Sequence, residues 1–271
     1  MKLSYAEVRR RCLKPNMAEK PSYGKHVTHF FSTRIVWFLS DFSVHPDYFT
    51  TLSLVLGLLG GVCFWAPSSQ AVFLGALLIE AYYVFDAVDG QWARLKKCQT
   101  KTGAFFDAIV TYLIQPFLYF SIGWGLYVQT SDHRMIFAGA LAAFSILWIT
   151  LLWHFEAAIF LYFIRRAETL KRKAPPVQPA RAVVPKNLSP AKKLFSFCQR
   201  SLTFPFTMNC LSAIGVLSLL SAFFSFGFPH LLALQFYIVY LATMGCLLAF
   251  ILTAHWILTK KIDADYTALF E

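Results

Sequence analysis

Apolar residues fall in six runs separated by short polar breaks, and each run is long enough to argue for a membrane crossing, which takes about 20 residues. The runs cover roughly Phe49–Trp65, Ala71–Val88, Gly103–Val128, Met135–Ile164, Leu202–Phe226 and Pro229–Leu258. Pro67-Ser-Ser-Gln70 and Gln129–Arg134 are the polar turns between them, and Pro116 lies inside the third run. Gly57, Gly60 and Gly61 in the first run predict close helix packing. Ahead of the runs, Val27, Phe30, Phe31, Ile35, Phe38 and Phe42 recur at helical spacing. Lys25, His29, Ser32, Thr33 and Arg34 fill the other positions. That pattern predicts an amphipathic helix over Lys25–Phe42 lying in the membrane interface, with Lys25 or Arg34 available to a lipid headgroup. His45-Pro46-Asp47 breaks the pattern, and Asp47 is the expected N-cap of the first span.

The expected fold is an all-α integral membrane protein of six transmembrane helices with an N-terminal interfacial amphipathic helix. Residues 1–48 form a cytoplasmic tail and the interfacial helix, 49–258 the membrane domain, and 259–271 a cytoplasmic C-terminal tail. Met1–Lys20, with Arg9, Arg10 and Arg11 in a row, reads as a solvated tail without a cleavable signal peptide. Residues 165–200 hold ten Lys/Arg, one acid (Glu168) and five prolines. That composition predicts a disordered cytoplasmic linker or one loosely bound to anionic lipid.

Composition agrees with this class: 57% of the 271 residues are hydrophobic and only 14% charged. The net charge of +11 would suit nucleic acid, but its distribution points to membrane topology instead. Of 25 Lys/Arg, 24 fall in segments on one side of the six spans, and only Arg134 falls on the other. The positive-inside rule therefore puts both termini, and the connection after Val88, on the cytoplasmic side. The six cysteines are scattered without a C-x-x-C pair and read as ordinary reduced thiols.

Chemistry concentrates at one place. Asp86 and Asp89 are three residues apart, so a helix sets them on one face, and Asp107 opens the next apolar run. Two helices joined by the Gly90–Thr102 connection would bring the three carboxylates together at the membrane surface. Their mutual repulsion becomes tenable with a divalent cation such as Mg²⁺ or Mn²⁺. Glu80, His154 and Glu156 lie inside spans, and each is expected to be packed or cavity-lining rather than catalytic.

Asp86, Asp89, Gly90, Ala93, Arg94, Gly103 and Asp107 stand at the spacing D-x2-D-G-x2-A-R-x8-G-x3-D-x3-D. That segment resembles the signature of the CDP-alcohol phosphotransferase family, except that Thr111 stands where the family has its fourth Asp. The resemblance covers Asp86–Thr111. It implies a transfer from a CDP-linked donor, often CDP-diacylglycerol, to an acceptor hydroxyl with release of CMP, as in phospholipid biosynthesis. It makes Asp86, Asp89 and Asp107 the ligands of Mg²⁺ or Mn²⁺. The CDP moiety would lie against Asp86, Asp89, Gly90, Ala93, Arg94 and Gly103, the small residues letting the nucleotide approach the backbone. Arg94 would pair with a phosphate or fix the loop. A small or phosphorylated alcohol is the implied acceptor, and a homodimer is implied as well.

The family's fourth Asp is thought to act as general base, and a threonine hydroxyl takes up no proton at neutral pH. Three readings follow. The enzyme works without this base, through metal activation or an acceptor already negatively charged. Or a histidine from Lys25–Asp47 or a neighbouring span replaces it. Or the chain is a catalytically impaired relative that binds a CDP-linked lipid or acts as a scaffold. A transporter is disfavoured, because the acids cluster at one surface and no inverted repeat is visible. A bacterial inner membrane fits the compact size.

Overall fold

The structure, a computed structural model, describes residues 3–13, 23–66, 68–166, 204–224 and 229–259. These residues form eight helices and no strand. In chain order they are α1 (Tyr5–Cys12), α2 (Tyr23–Phe38), α3 (Pro46–Cys63), α4 (Ser69–Lys96), α5 (Lys101–Thr130), α6 (His133–Arg166), α7 (Phe204–Phe224) and α8 (Pro229–Leu258). The protein is thus an all-α, multi-pass membrane protein. α3, α4, α5, α8 and the His133–Leu152 part of α6 are long and apolar enough to cross a bilayer. The expected fifth span coincides with α7, whose apolar stretch among the described residues, Asn209–Phe223, is shorter, so among those residues five helices long enough to cross and a shorter one stand where six spans were expected. The basic, proline-rich linker over 165–200 and the tail beyond 259 fall almost wholly outside the described residues.

Small residues set the helix spacing. α3 packs on both α4 and α5, which α4 and α5 hardly do on each other despite being consecutive. A Cβ on Gly60 would come within 2.9 Å of Ile79 and 3.2 Å of the Gly75 carbonyl, and one on Gly57 within 2.8 Å of Ile114. α5 and α6 approach closely at Gly123 and Gly139, where a Cβ on Gly123 would meet the Gly139 Cα at 2.7 Å. Large apolar side chains such as Phe137, Phe144, Phe236 and Phe250 point outward, as lipid-facing surfaces require.

The N-terminal part differs from the sequence reading in three ways. Tyr5–Cys12, expected as solvated tail, is a helix docked on α2 and α4, with Val8 and Cys12 fully buried beside Val36, Val88 and Trp92. Ser4 caps it by accepting from the Glu7 amide at 3.3 Å, and the Trp37 indole donates to the Leu3 carbonyl at 3.1 Å. Second, α2 turns its polar residues inward. Thr28, Ser32 and Thr33 are buried, while Phe38 (66% exposed) and Phe42 (56%) face out with Phe30 and Phe31. The apolar face of an interfacial helix meets lipid, so the polar positions are left to pack on the protein. Arg34 lies 3.3 Å over the Phe30 ring and donates to the Phe30 carbonyl. The Lys25 side chain is outside the described set. Third, His45 rather than Asp47 caps α3. Its ring accepts from the Asp47 amide at 3.4 Å, with Pro46 in the first turn, where proline's missing N–H costs nothing.

Candidate functional site

Sequence spacing placed a connection from Gly90 onward, but α4 runs straight through the motif to Lys96. Gly90 costs about 1 kcal/mol relative to Ala in a helix. Buried Val88, Gln91, Trp92 and Leu95 anchor the segment regardless. The Trp92 indole donates to the Val44 carbonyl at 2.8 Å, and the Lys96 ammonium to the Ser40 carbonyl at 2.7 Å. Lys97, in the left-handed region at φ 56°, ends the helix. Thr100 then caps α5, accepting from the Gly103 amide at 2.9 Å, a cap that contributes about 1 kcal/mol. The true connection is only residues 97–100.

This arrangement leaves space where α4 and α5 stand apart. One cavity of about 330 Å³ is lined from α3 by Pro46, Asp47 and Thr50, and from α4 by Asp89, Gly90, Ala93 and Arg94. The turn adds Cys98, Gln99 and Thr100, and α5 adds Gly103, Ala104 and Asp107. A second cavity of about 220 Å³ shares Asp89, Gly90, Arg94 and Asp107 with the first. Its other walls are Asp86, Tyr83, Ala87 and Gln91 of α4 with Thr28 and His29 of α2. All seven motif residues predicted from the sequence therefore line one or both cavities.

Within the site, the Thr50 hydroxyl donates to Asp89 Oδ2 at 2.6 Å, which fixes that carboxylate. Asp86 interacts electrostatically with both Asp107 and Asp89. Its Oδ1 is buried and has no hydrogen-bond partner. Such an atom costs free energy unless a cation or proton meets it. Carboxylate oxygens are the donors that Mg²⁺ and Mn²⁺ take, so the donor set fits a divalent ion. Among the described residues, no three His, Cys, Asp or Glu side chains are already gathered as a complete ligand group.

Arg94 is tied down by its own chain. Its Nε donates to the Cys12 carbonyl of α1 at 2.6 Å, and its charge lies beside Asp89. Burial raises the Cys12 thiol above its ordinary value, and the Arg94 guanidinium opposes that only in part. A Cβ on Gly90 would meet only the Arg94 Nη1 at 3.2 Å, and one on Gly103 the Thr100 hydroxyl at 3.0 Å. These two glycines border open space rather than a neighbouring backbone.

Thr111 lines neither cavity. Its hydroxyl is a hydrogen-bond partner of Tyr82, which is buried on α4. Glu80 accepts a hydrogen bond from Ser212 of α7, and His154 bonds the Tyr112 hydroxyl at 2.8 Å and meets the Thr150 carbonyl. The Ser212 bond agrees with a packed Glu80, whereas His154 is exposed and lines neither cavity, so its expected core or cavity-lining place is not where it lies; the Glu156 side chain is outside the described set. Sequence reasoning missed Thr50 and Gln91 as wall residues, reached His29 only within the histidines of Lys25–Asp47, and took Asp47 for a cap. The only signal for Asp47 and Thr50 was their place in the turn at the motif's end of α3.

Comparison with known proteins places this geometry. The sequence profile described as CDP-alcohol phosphatidyltransferase matches residues 43–184, from α3 past the motif and just over half of the chain. The phosphatidylinositol phosphate synthase of Mycobacterium tuberculosis, solved with CDP-DAG bound, has the same fold. That likeness has a TM-score of 0.54 at 18% identity and covers 83% of this chain and 93% of that one. No curated protein sequence matches the chain. With the profile spanning α3, α4 and α5, which supply every wall of the larger cavity, the chain belongs to the CDP-alcohol phosphatidyltransferase family.

Proposed function

We propose that the chain is a transferase of phospholipid synthesis that moves a phosphatidyl or substituted phosphoryl group from a CDP-linked donor, such as CDP-diacylglycerol, to an acceptor hydroxyl. The observation that carries the reading is the pair of cavities sharing Asp89, Gly90, Arg94 and Asp107 as a common wall. In-line displacement at phosphorus needs the leaving group and the attacking oxygen on opposite sides of one atom. Two cavities sharing a wall that holds Asp89 and Asp107 support such an arrangement as our reading of the site.

In the larger cavity, Gly90, Ala93 and Gly103 let a flat nucleotide lie against helix backbone. Arg94, anchored through Nε to the Cys12 carbonyl, keeps its remaining N–H donors for a phosphate oxygen. Asp86, Asp89 and Asp107 would hold Mg²⁺ or Mn²⁺, which when bound neutralises charge on the transferred phosphoryl and leaving oxygens. Thr50 keeps Asp89 oriented toward that task. The new bond joins acceptor oxygen to phosphorus, and the bond from phosphorus to the CMP oxygen breaks. The acceptor's proton leaves toward the carboxylates and water, since residue 111 takes none. The charge distribution supports a cytoplasmic active site, where CDP-linked donors are made, and a bacterial inner membrane remains our reading of location. A homodimer is proposed from family resemblance alone.

Release of CMP from CDP-diacylglycerol by the purified chain, with Mg²⁺ or Mn²⁺ against chelator and across a panel of free and phosphorylated alcohols, tests this reading. Acceptor-dependent, metal-dependent CMP is the expected result. The pairing of Thr111 with Tyr82 favours one second reading, a binding member that retains CDP-lipid without turning it over. Thr111→Asp separates the two: it creates activity in a binding protein and lowers it in an enzyme adapted to threonine.

A further inference from the structure

The arginine of the motif is held by a helix that lies outside the motif. Arg94 Nε donates to the Cys12 carbonyl at 2.6 Å, and Cys12 is the last residue of α1. The last carbonyls of a helix lack partners within it and carry the negative end of its dipole, so a guanidinium is a fitting cap. Eight residues are too few to hold a helix in water unaided. α1 therefore depends on its docking. Val8 and Cys12 are fully buried in one apolar cluster with Val36, Val88, Trp92 and Leu95, and Tyr5 meets the Trp37 ring edge-on with centroids 6.1 Å apart.

The rest of the guanidinium belongs to the site. Arg94 lines both cavities, and its Nη1 stands 3.2 Å from where a Cβ on Gly90 would lie. Its charge acts on Asp89, yet the ion pairs among the described residues are Arg11–Glu7 and His45–Asp47, so Arg94 is not closed on that carboxylate. Released from α1, the guanidinium would gain a free Nε–H next to a negative neighbour. Closure on Asp89 would then compete both with the donor's phosphates for Arg94 and with a metal ion for Asp89. We propose that α1 is part of the donor site: its last carbonyl holds Arg94 by Nε, keeps the guanidinium off Asp89, and leaves Nη1 and Nη2 for the donor's pyrophosphate. This rests on the CDP-linked donor of the transferase reading. α1 is a positioning element that acts through Arg94. The coupling runs both ways: a donor that fixes Arg94 also holds α1 down, because linkage between two binding events is reciprocal.

Two readouts on the full-length protein in detergent test it, and neither requires turnover. The first is equilibrium binding of CDP-diacylglycerol with Mg²⁺ and no acceptor. Val8→Asp, which puts a charge into the apolar contact of α1, should weaken binding about tenfold, the size of one charge-assisted hydrogen bond. Val8→Ser, a milder change that keeps the fold, should weaken it in the same direction by less. Arg10→Gln, on the exposed side of α1, should leave it within about twofold. Arg94→Gln should weaken binding about tenfold by itself and make Val8→Asp silent, the double-mutant signature of one shared contact. Unchanged binding in both Val8 variants, or an equal further loss from Val8→Asp in Arg94→Gln, overturns the proposal. The second readout is alkylation of Cys12, followed on its own peptide by mass spectrometry. Cys12 lines neither cavity, so the donor does not cover it directly. Saturating CDP-diacylglycerol should slow the reaction about tenfold in the wild type, by reciprocity, and leave it unchanged in Arg94→Gln. The same rate with and without donor in the wild type overturns the coupling. A wild type that binds no CDP-diacylglycerol removes the donor reading, and the role of α1 falls with it. Binding that depends on α1 without CMP release from any acceptor removes the catalysis alone and upholds α1 as part of the donor site.

Discussion

The two ends of α4 both carry polar side chains, yet they are built for opposite purposes. At its N-terminal end, Ser218 donates to the Ser69 carbonyl at 2.6 Å, Ser69 and Ser221 hydroxyls meet at 3.3 Å, and Ser221 meets His230 Nδ1 at 3.1 Å. These contacts tie α4 to α7 and α8. At its C-terminal end, Asp86 keeps a buried oxygen without a partner, and two cavities open beside it. Glycine follows the same division. Gly123, Gly125 and Gly139 face backbone, with the Gly125 position pressed against the Phe64 carbonyl. Gly90 and Gly103 face side-chain tips and cavity. One end spends polarity and small size on cohesion, the other holds them open for something not part of the chain.

The contrast can be broken from either side. The largest effect is expected for Asp107→Ala, which should cut CMP release by about a thousandfold or more, since metal-borne charge stabilisation is worth several kcal/mol and each 1.36 kcal/mol is tenfold. Ser221→Ala, in the serine cluster at the other end, should leave the rate within about twofold and instead lower the melting temperature. Next comes Gly123→Ala: neither backbone can yield, so overpacking of about 1–3 kcal/mol should appear as lost thermal stability in detergent. Gly90→Ala should do the reverse. Only the flexible end of Arg94 stands in the way, so stability holds or rises by up to about 1 kcal/mol. The KM for the CDP-linked donor should rise about tenfold in the same variant. A loss of stability in Gly90→Ala with unchanged KM would merge the two classes of glycine. The smallest effect concerns Cys12. A raised thiol value means less thiolate at neutral pH than in a free cysteine, so alkylation should be slower than at a peptide thiol and speed up on unfolding.

Much of this was legible because it is local. Apolar runs and their turns located α3, α5, α6, α8 and the start of α4 to within a few residues, and the motif spacing named seven cavity residues. What escaped depends on partners distant in sequence. The docking of α1 needs Trp37, Gln91 and Arg94, which lie 34, 79 and 82 residues from their partners Leu3, Cys12 and Cys12. Helical spacing identified the two faces of α2, but only the tertiary structure shows Thr28, Ser32 and Thr33 turned inward. Gly90 read as a break because propensity is a weak prior, and burial of Trp92 and Leu95 overrode it. Thr111 showed as a departure from the motif at once, but its partner Tyr82 lies on another helix.

We place the chemistry at the carboxylate end of α4. That placement is tested most directly by CMP release from CDP-diacylglycerol, with Mg²⁺ or Mn²⁺ and an acceptor panel, for wild type, Asp107→Ala and Ser221→Ala side by side. Acceptor-dependent CMP is expected from the wild type and Ser221→Ala and none above background from Asp107→Ala. CMP release that survives Asp107→Ala, or a folded wild type that releases none with any acceptor, would contradict it.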